Sequence, residues 1–224
     1  MKPLPKLPPT ILLLWALLAG MPGISSAYEL DPGCGVDLNN NYLGRPTDYR
    51  SALQEQLNLV EGRHFRIQHE QLMKGSTKYS TGETSGGLMG DFDYTLRVFP
   101  NHHLALQDID RLGSLLKTEM PSGASYTLEC YFKRAVVFVP DDGVVRLLYG
   151  LYLNRRGKSK EALEQLRAAE ENAPDDRNVQ YNLGLAYFQL KEYEQARKYA
   201  KQAYERGFPL PGLRQMLIKA GKWE

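Results

Sequence analysis

The chain has 224 residues, with 28 Lys and Arg against 26 Asp and Glu, 4 His and 2 Cys. So even a balance excludes the proteins that hold nucleic acid by neutralising phosphates with a basic face. The length suits one domain or two small ones.

The first 27 residues read as a secretory signal peptide. Lys2 and Lys6 give a positive start, Ile11 to Ala19 an apolar run, and Ser25-Ser26-Ala27 a small-residue cleavage site. The run is shorter than the ~20 residues a bilayer-spanning helix needs. Pro3, Pro5, Pro8 and Pro9 before it are unusual, and the other reading of this segment is an uncleaved N-terminal anchor. Cleavage after Ala27 would remove 27 of the 224 residues, leaving 197, and without Lys2 and Lys6 the body carries 26 basic and 26 acidic residues. The expectation is an exported, periplasmic protein that does not span the membrane once the signal is removed. An oxidising compartment favours a disulfide between Cys34 and Cys130, which would tie an N-terminal arm to a helix of the body. The alternative is a buried Cys130 and a free Cys34. Cys34 lies too far beyond the apolar run to be the lipidated residue of a bacterial lipoprotein signal.

Residues 28–46 read as extended or irregular. Thr47 or Asp48 can cap a helix running to about Val60, and His64 to Lys74 reads as another, ended by Gly75. The stretch STKYSTGETSGGLMGD (76–91) is polar, glycine-rich and aperiodic, and is expected to be a flexible loop. Asp91 would then cap a short helix, 92–99. Residues 28–100 are thus expected to form an arm and a degenerate helical pair.

From 101 onward the punctuation is regular. Pro100, Pro140, Pro174 and Pro209 mark the ends of successive helical pairs, since proline cannot continue a helix. Helices are expected at 102–116 and 126–138, 144–156 and 159–172, 178–190 and 193–206, with a last helix at 212–220 as a cap. Residues 117–125, with Pro121 and Gly123, make a lengthened loop inside the first pair. Asn101, Asp141-Asp142 and Asp175-Asp176 sit where helix N-caps are favoured, and Gly157 and Gly207 suit C-caps.

Two segments superimpose at a spacing of 34 residues: Gly150 falls on Gly184, Ala162 on Ala196 and Ala169 on Ala203. Such a period, with apolar residues at helical spacing, signals paired helices stacked into a solenoid. The small residues let helices approach closely, while Tyr149, Leu153, Leu163, Leu166, Leu183, Tyr187, Tyr199 and Ala200 supply apolar contact. The segments LYGLYL…A…L..A….P and NLGLAY…A…A..A resemble the tetratricopeptide repeat, a helix-turn-helix unit of this length. The likeness is strong over 143–210. It weakens over 101–142, where Phe132, Ala135 and Pro140 fit but Leu116 stands at the small-residue position, and it is faint over 48–100. LVEGRHF (59–65), DYTLRVFPNHHLAL (93–106) and LECYFKRA (128–135) are also similar to exported bacterial proteins of this repeat class whose function is unassigned. That likeness implies no activity.

The repeat resemblance implies an all-α solenoid, here 101–224 with its capping helix. It also implies that the first helix of each pair lines a concave groove holding a peptide or helix of a partner protein. Carried onto this chain, the groove candidates are Val144, Leu147, Leu151, Asn154 and Arg155, then Asn178, Tyr181, Asn182, Leu185, Phe188 and Gln189. Rings supply contact area and amides satisfy a bound backbone; packing among the helices is the competing explanation for each. A clamp for a C-terminal carboxylate would have only Asn182 and, less well placed, Arg155.

Chemistry elsewhere is thin. His102-His103, with His64 or His69, is the sharpest polar cluster, but adjacent helical residues point about 100° apart and share no face. Asp91, Asp93 and Glu83 read as a helix start beside a loop before they read as an acid–base pair. Gly82, Gly86, Gly87 and Gly90 lack the GK[ST] of a phosphate loop, and Ser76, Ser80 and Ser85 lack a nucleophile's setting. KSKEALEQLRAAEE (158–171) is a solvated face, and Phe208, Leu210, Leu213 and Trp223 read as a cap over the last repeat before a partner patch. No enzyme activity, metal or cofactor is expected. The expected function is protein–protein interaction, as a periplasmic adaptor or assembly factor for an envelope or secretion machinery. The alternatives are a ligand-binding or enzymatic module in 28–100, and a structural subunit permanently covered by another chain.

Overall fold

A computed structural model describes Cys34, residues 45–77 and residues 87–224. The expected signal peptide, most of the arm and the middle of the 76–91 segment lie outside the described residues. Regular structure among the described residues is helical. A 3-10 turn, Tyr49–Ser51, precedes α1 (Gln54–His64), α2 (Arg66–Met73), α3 (Gly87–Val98), α4 (His103–Leu116) and α5 (Leu128–Phe138). Then follow α6 (Gly143–Arg155), α7 (Ser159–Asn172), α8 (Arg177–Gln189), α9 (Tyr193–Glu205) and α10 (Gly212–Lys219). The all-α solenoid expected from the repeat is the one observed.

The stacking follows from which helices touch. α6 pairs with α7 and α8 with α9, and each pair packs on the next. The first helices also meet in succession, α2 with α4, α4 with α6, α6 with α8 and α8 with α10. α2 and α3 occupy the place of a pair before α4, and α1 packs across both. Pro100, Pro140 and Pro174 each fall two residues past a second helix, α3, α5 or α7, and Pro209 follows α9. One apolar core runs through the stack, from Phe65 through Phe132 and Leu166 to Leu217.

Local chemistry repeats with the period. Asp142 accepts hydrogen bonds from the amides of Val144 and Val145, both at 3.1 Å, and Asp176 does the same for Asn178 and Val179 at 2.7 and 3.0 Å. These bonds satisfy amides that a helix start leaves without partners. The turn inside each pair needs a left-handed residue, supplied by Gly157 (φ 74°) in one copy and by Lys191 (φ 63°) in the next.

Close helix approach fixes the pairs. A Cβ at Gly150 would lie 2.6 Å from Leu166 Cγ and 3.4 Å from the Ala162 carbonyl oxygen. One at Gly184 would lie 2.6 Å from Leu213 Cδ2 and 3.2 Å from the Ala196 carbonyl oxygen. In the first pair the sequence pointed to Leu116, which is 41% exposed. The close approach is instead at Gly113, where a Cβ would meet Leu128 Cδ1 at 2.1 Å and the Thr118 carbonyl oxygen at 2.9 Å. The long 117–127 connection moves the crossing point up the helix.

The N-terminal region departs from the sequence reading in three places. Thr47 and Asp48 do not start α1; Asp48 caps only the 3-10 turn, through the Arg50 amide at 2.9 Å. α3 begins at Gly87, inside the stretch expected to be loop, because Leu88, Phe92 and Leu96 recur every fourth residue and are buried. Asp91 therefore lies within α3 and caps nothing. Asn101 is not the cap of α4 either; His102 is, its ring accepting from the Ala105 amide at 3.1 Å. Asn101, fully buried, accepts from the Tyr49 amide and donates to Asp48 and Asp142, joining the entering chain to the stack. Cys34 and Cys130 form a disulfide closing 96 residues, and Arg134 donates to the Cys34 carbonyl at 3.1 Å.

Gly113→Ala is expected to lower unfolding free energy by about 1–2 kcal/mol, since overpacking against backbone outweighs the ~1 kcal/mol helical preference of alanine. Gly62→Ala in α1, where a Cβ meets nothing within 4 Å, is expected to raise it by up to ~1 kcal/mol. Urea denaturation of the two variants checks both signs.

Candidate functional site: a cleft across the first helices

The inner faces of the first helices enclose an open cleft of about 710 Å³. α4 contributes Leu104, Gln107, Asp108, Arg111 and Ser114, at the spacing of one helix face. Leu147, Leu151 and Arg155 come from α6, Asn178, Tyr181 and Asn182 from α8, and His69 and Met73 from α2. Phe208 and Leu210, in the turn before the cap, close one end.

Of the groove residues expected from sequence, Leu147, Leu151, Arg155, Asn178, Tyr181 and Asn182 face this cleft. The other candidates do not line it. Asn154 is buried and donates to the Asn182 carbonyl at 3.4 Å, holding α6 against α8. Val144 is exposed away from the lining, and Leu185 packs on the core. Phe188 meets Tyr193 edge-on with ring centres 5.4 Å apart, and Gln189 is hydrogen-bonded to Ser159. The two polar candidates for a terminal-carboxylate clamp are engaged elsewhere. Arg155 pairs with Asp110, and Asn182 donates to the Asn178 carbonyl at 2.7 Å.

Sequence reasoning missed the α2 and α4 walls. The signal was available, since α4 is the first helix of a pair and Leu104, Gln107, Arg111 and Ser114 recur at three- and four-residue intervals. Phe208 is half-buried and stacks on Tyr181 with ring centres 3.9 Å apart, while Leu213 is fully buried as the cap expected of it. Leu210 stays 60% exposed at the mouth of the cleft.

The four histidines are each bound to a carboxylate, not gathered together. His64 meets Asp91 at 2.9 Å, His69 meets Asp108 at 2.7 Å, His102 meets Glu61 at 3.3 Å and His103 meets Asp142 at 2.9 Å. Asp91 also accepts from Gln68 at 2.8 Å, whereas Asp93 accepts from Arg97 at 2.8 Å, Ser125 and Tyr131. Asp91 and Asp93 thus serve separate networks. Among the described residues no group of three metal-ligating side chains could hold an ion.

Burial sets the charge states here. Desolvation pushes the Asp108 carboxyl up, against the hydrogen bond from His69. It opposes charge on Asp142 too, but hydrogen bonds from His103, Asn101 and the α6 amides prevail and hold that carboxyl below its usual range. The fully buried His102 is held at about 4, mainly by desolvation and despite Glu61. Its Nδ1 accepts the Ala105 amide, so the neutral ring carries its proton on Nε2 and donates to Glu61.

Such a stack of helix pairs, open along its inner face, defines a helical-repeat scaffold. Residues 147–209 match the tetratricopeptide repeat family. Eight solved chains resemble it significantly. One, titled "MamA RS-1 ArsTM double mutant", is 19% identical, covers 77% of this chain and 89% of its own, and superimposes with a TM-score of 0.53. At that identity the likeness speaks for the fold alone. No curated protein matches the chain significantly. None of the described helices is long and apolar enough to cross a membrane.

His102 makes stability pH-dependent. Between about 6.5, where an unfolded histidine titrates, and about 4, the unfolded chain takes up a proton that the folded chain refuses. Stability should therefore fall as pH drops through that window, by up to about 3 kcal/mol from this group. His102→Asn, which keeps a capping side chain, is expected to flatten the dependence; urea midpoints of both proteins between pH 7 and pH 4 check it.

Proposed function

We propose that this protein is an interaction scaffold that seats a segment of a partner protein in the cleft across α4, α6 and α8. The observation that carries this reading is the shape and lining of the cleft. Three consecutive first helices present one face each, and Met73, Leu104 and Leu210 on its walls are 43%, 44% and 60% exposed. Exposed apolar side chains gathered in a concavity favour a partner, because their burial is worth about 25 cal/mol per Å² removed from water.

The finer reading is that of an exported, periplasmic adaptor or assembly factor for an envelope or secretion machinery. It is supported by the signal-like start of the sequence and by the Cys34–Cys130 disulfide, a bond suited to an oxidising compartment. No catalytic role is assigned. His64, His69 and His102, the residues on which a ligand-binding or enzymatic N-terminal module would draw, are each bonded to an internal carboxylate.

A photo-crosslinking amino acid placed at Leu104 or Leu210 tests the seat without disturbing the core. In cells, both positions are expected to capture the same partner protein, and Glu164 on the outer face of α7 is expected not to. Capture from Glu164 alone would show that the outer face, not the cleft, carries the interaction.

A further inference from the structure

Besides Tyr181, five acidic or basic side chains face the cleft: His69, Asp108, Asp110, Arg111 and Arg155. Four of them are committed within the chain, His69 to Asp108 at 2.7 Å and Asp110 to Arg155, with Arg156 also on Asp110 at 2.9 Å. Arg111 is the exception. It is exposed, and among the described residues it makes no hydrogen bond or ion pair, although Asp108 lies near enough to feel its charge. Seven residues separate it from Leu104 along α4, two helical turns or ~10 Å. Leu147 and Leu151 line the same cleft from α6.

Building on the seat proposed above, we infer that the occupant is an apolar segment carrying a side-chain carboxylate, which Arg111 reads. An exposed guanidinium beside apolar walls offers a carboxylate two parallel N–H bonds, and a seated segment would remove water from around the pair. A lysine or arginine at the same place in the partner would meet a like charge, offset only in part by Asp108, which His69 already engages, so the cation also disfavours wrong partners. The remaining polar groups suit a peptide backbone. Gln107 on α4 and Asn178 on α8 face the cleft, and among the described residues their side-chain amides are unengaged. The carboxylate belongs to a side chain rather than a chain end, because the residues a terminal clamp would use, Arg155 and Asn182, are held by Asp110 and Asn178.

The test is selection of a random-peptide library displayed without free C-termini against the full-length protein, repeated with Arg111→Gln and Arg111→Glu. Leu104→Asp and Leu210→Asp serve as cleft controls, and melting curves confirm that each variant is folded. Peptides that bind the wild type and are lost on the cleft controls are expected to combine apolar residues with Asp or Glu. Changing that acid to its amide should weaken them roughly ten- to a hundredfold, the worth of a charged hydrogen bond. Arg111→Gln should erase the difference, and Arg111→Glu should turn the preference toward Lys or Arg. Cleft-dependent peptides with no preference for an acid, or a preference unchanged in Arg111→Glu, would overturn this inference and leave the cleft as the seat. Peptides that ignore Leu104→Asp and Leu210→Asp would overturn both.

Discussion

Three glycines, Gly113, Gly150 and Gly184, let the backbones of paired helices come closer than any side chain would allow, and the geometry of the stack follows from that approach. At Gly113 and Gly150 a single added methyl would collide with a leucine of the paired helix, and at Gly184 it would crowd the Ala196 carbonyl of α9 and collide with Leu213 of the cap. With the first helix of each pair pressed against its partner, the second helices take the outer layer. The first helices are left to pack on one another in sequence, α2, α4, α6, α8 and α10. Their exposed faces then line up on one side. The cleft is thus a consequence of close packing elsewhere, and it needs no residue of its own to be held open.

The same constraint explains where specificity has to come from. Walls made of repeated helix faces are apolar and adaptable, and they offer contact area more readily than discrimination. Charges in such a place are costly unless paired, which is how His69, Asp108, Asp110 and Arg155 are disposed. Arg111 departs from that arrangement while remaining in water. It is the feature of the cleft that distinguishes one partner from another by sign of charge.

Much of the stack was legible in the sequence, and the reason is the repeat. Where Gly150, Ala162 and Ala169 recur as Gly184, Ala196 and Ala203, the expected helices 159–172 and 193–206 match α7 and α9 to within a residue. Where the period decays, the reading slipped. The long 117–127 connection displaced the close approach from Leu116 to Gly113, and the glycines before Asp91 hid the four-residue spacing of Leu88, Phe92 and Leu96. Half of the cleft was missed for the same cause, since its second wall lies on α2 and α4. The histidine–carboxylate pairs join residues 27 to 41 apart in sequence and leave no local pattern to read.

The central claim is that the inner face of the first helices, and not the rest of the surface, receives the partner. A methyl-resolved NMR titration of the full-length protein with a captured partner segment tests it most directly, because the leucines report by position. The account predicts that the methyls of Leu104, Leu147, Leu151 and Leu210 shift on binding while those of Leu53 and Leu59, exposed at 75% and 56% at the N-terminal end, do not. Shifts confined to Leu53 and Leu59, with the cleft leucines unmoved, would contradict it.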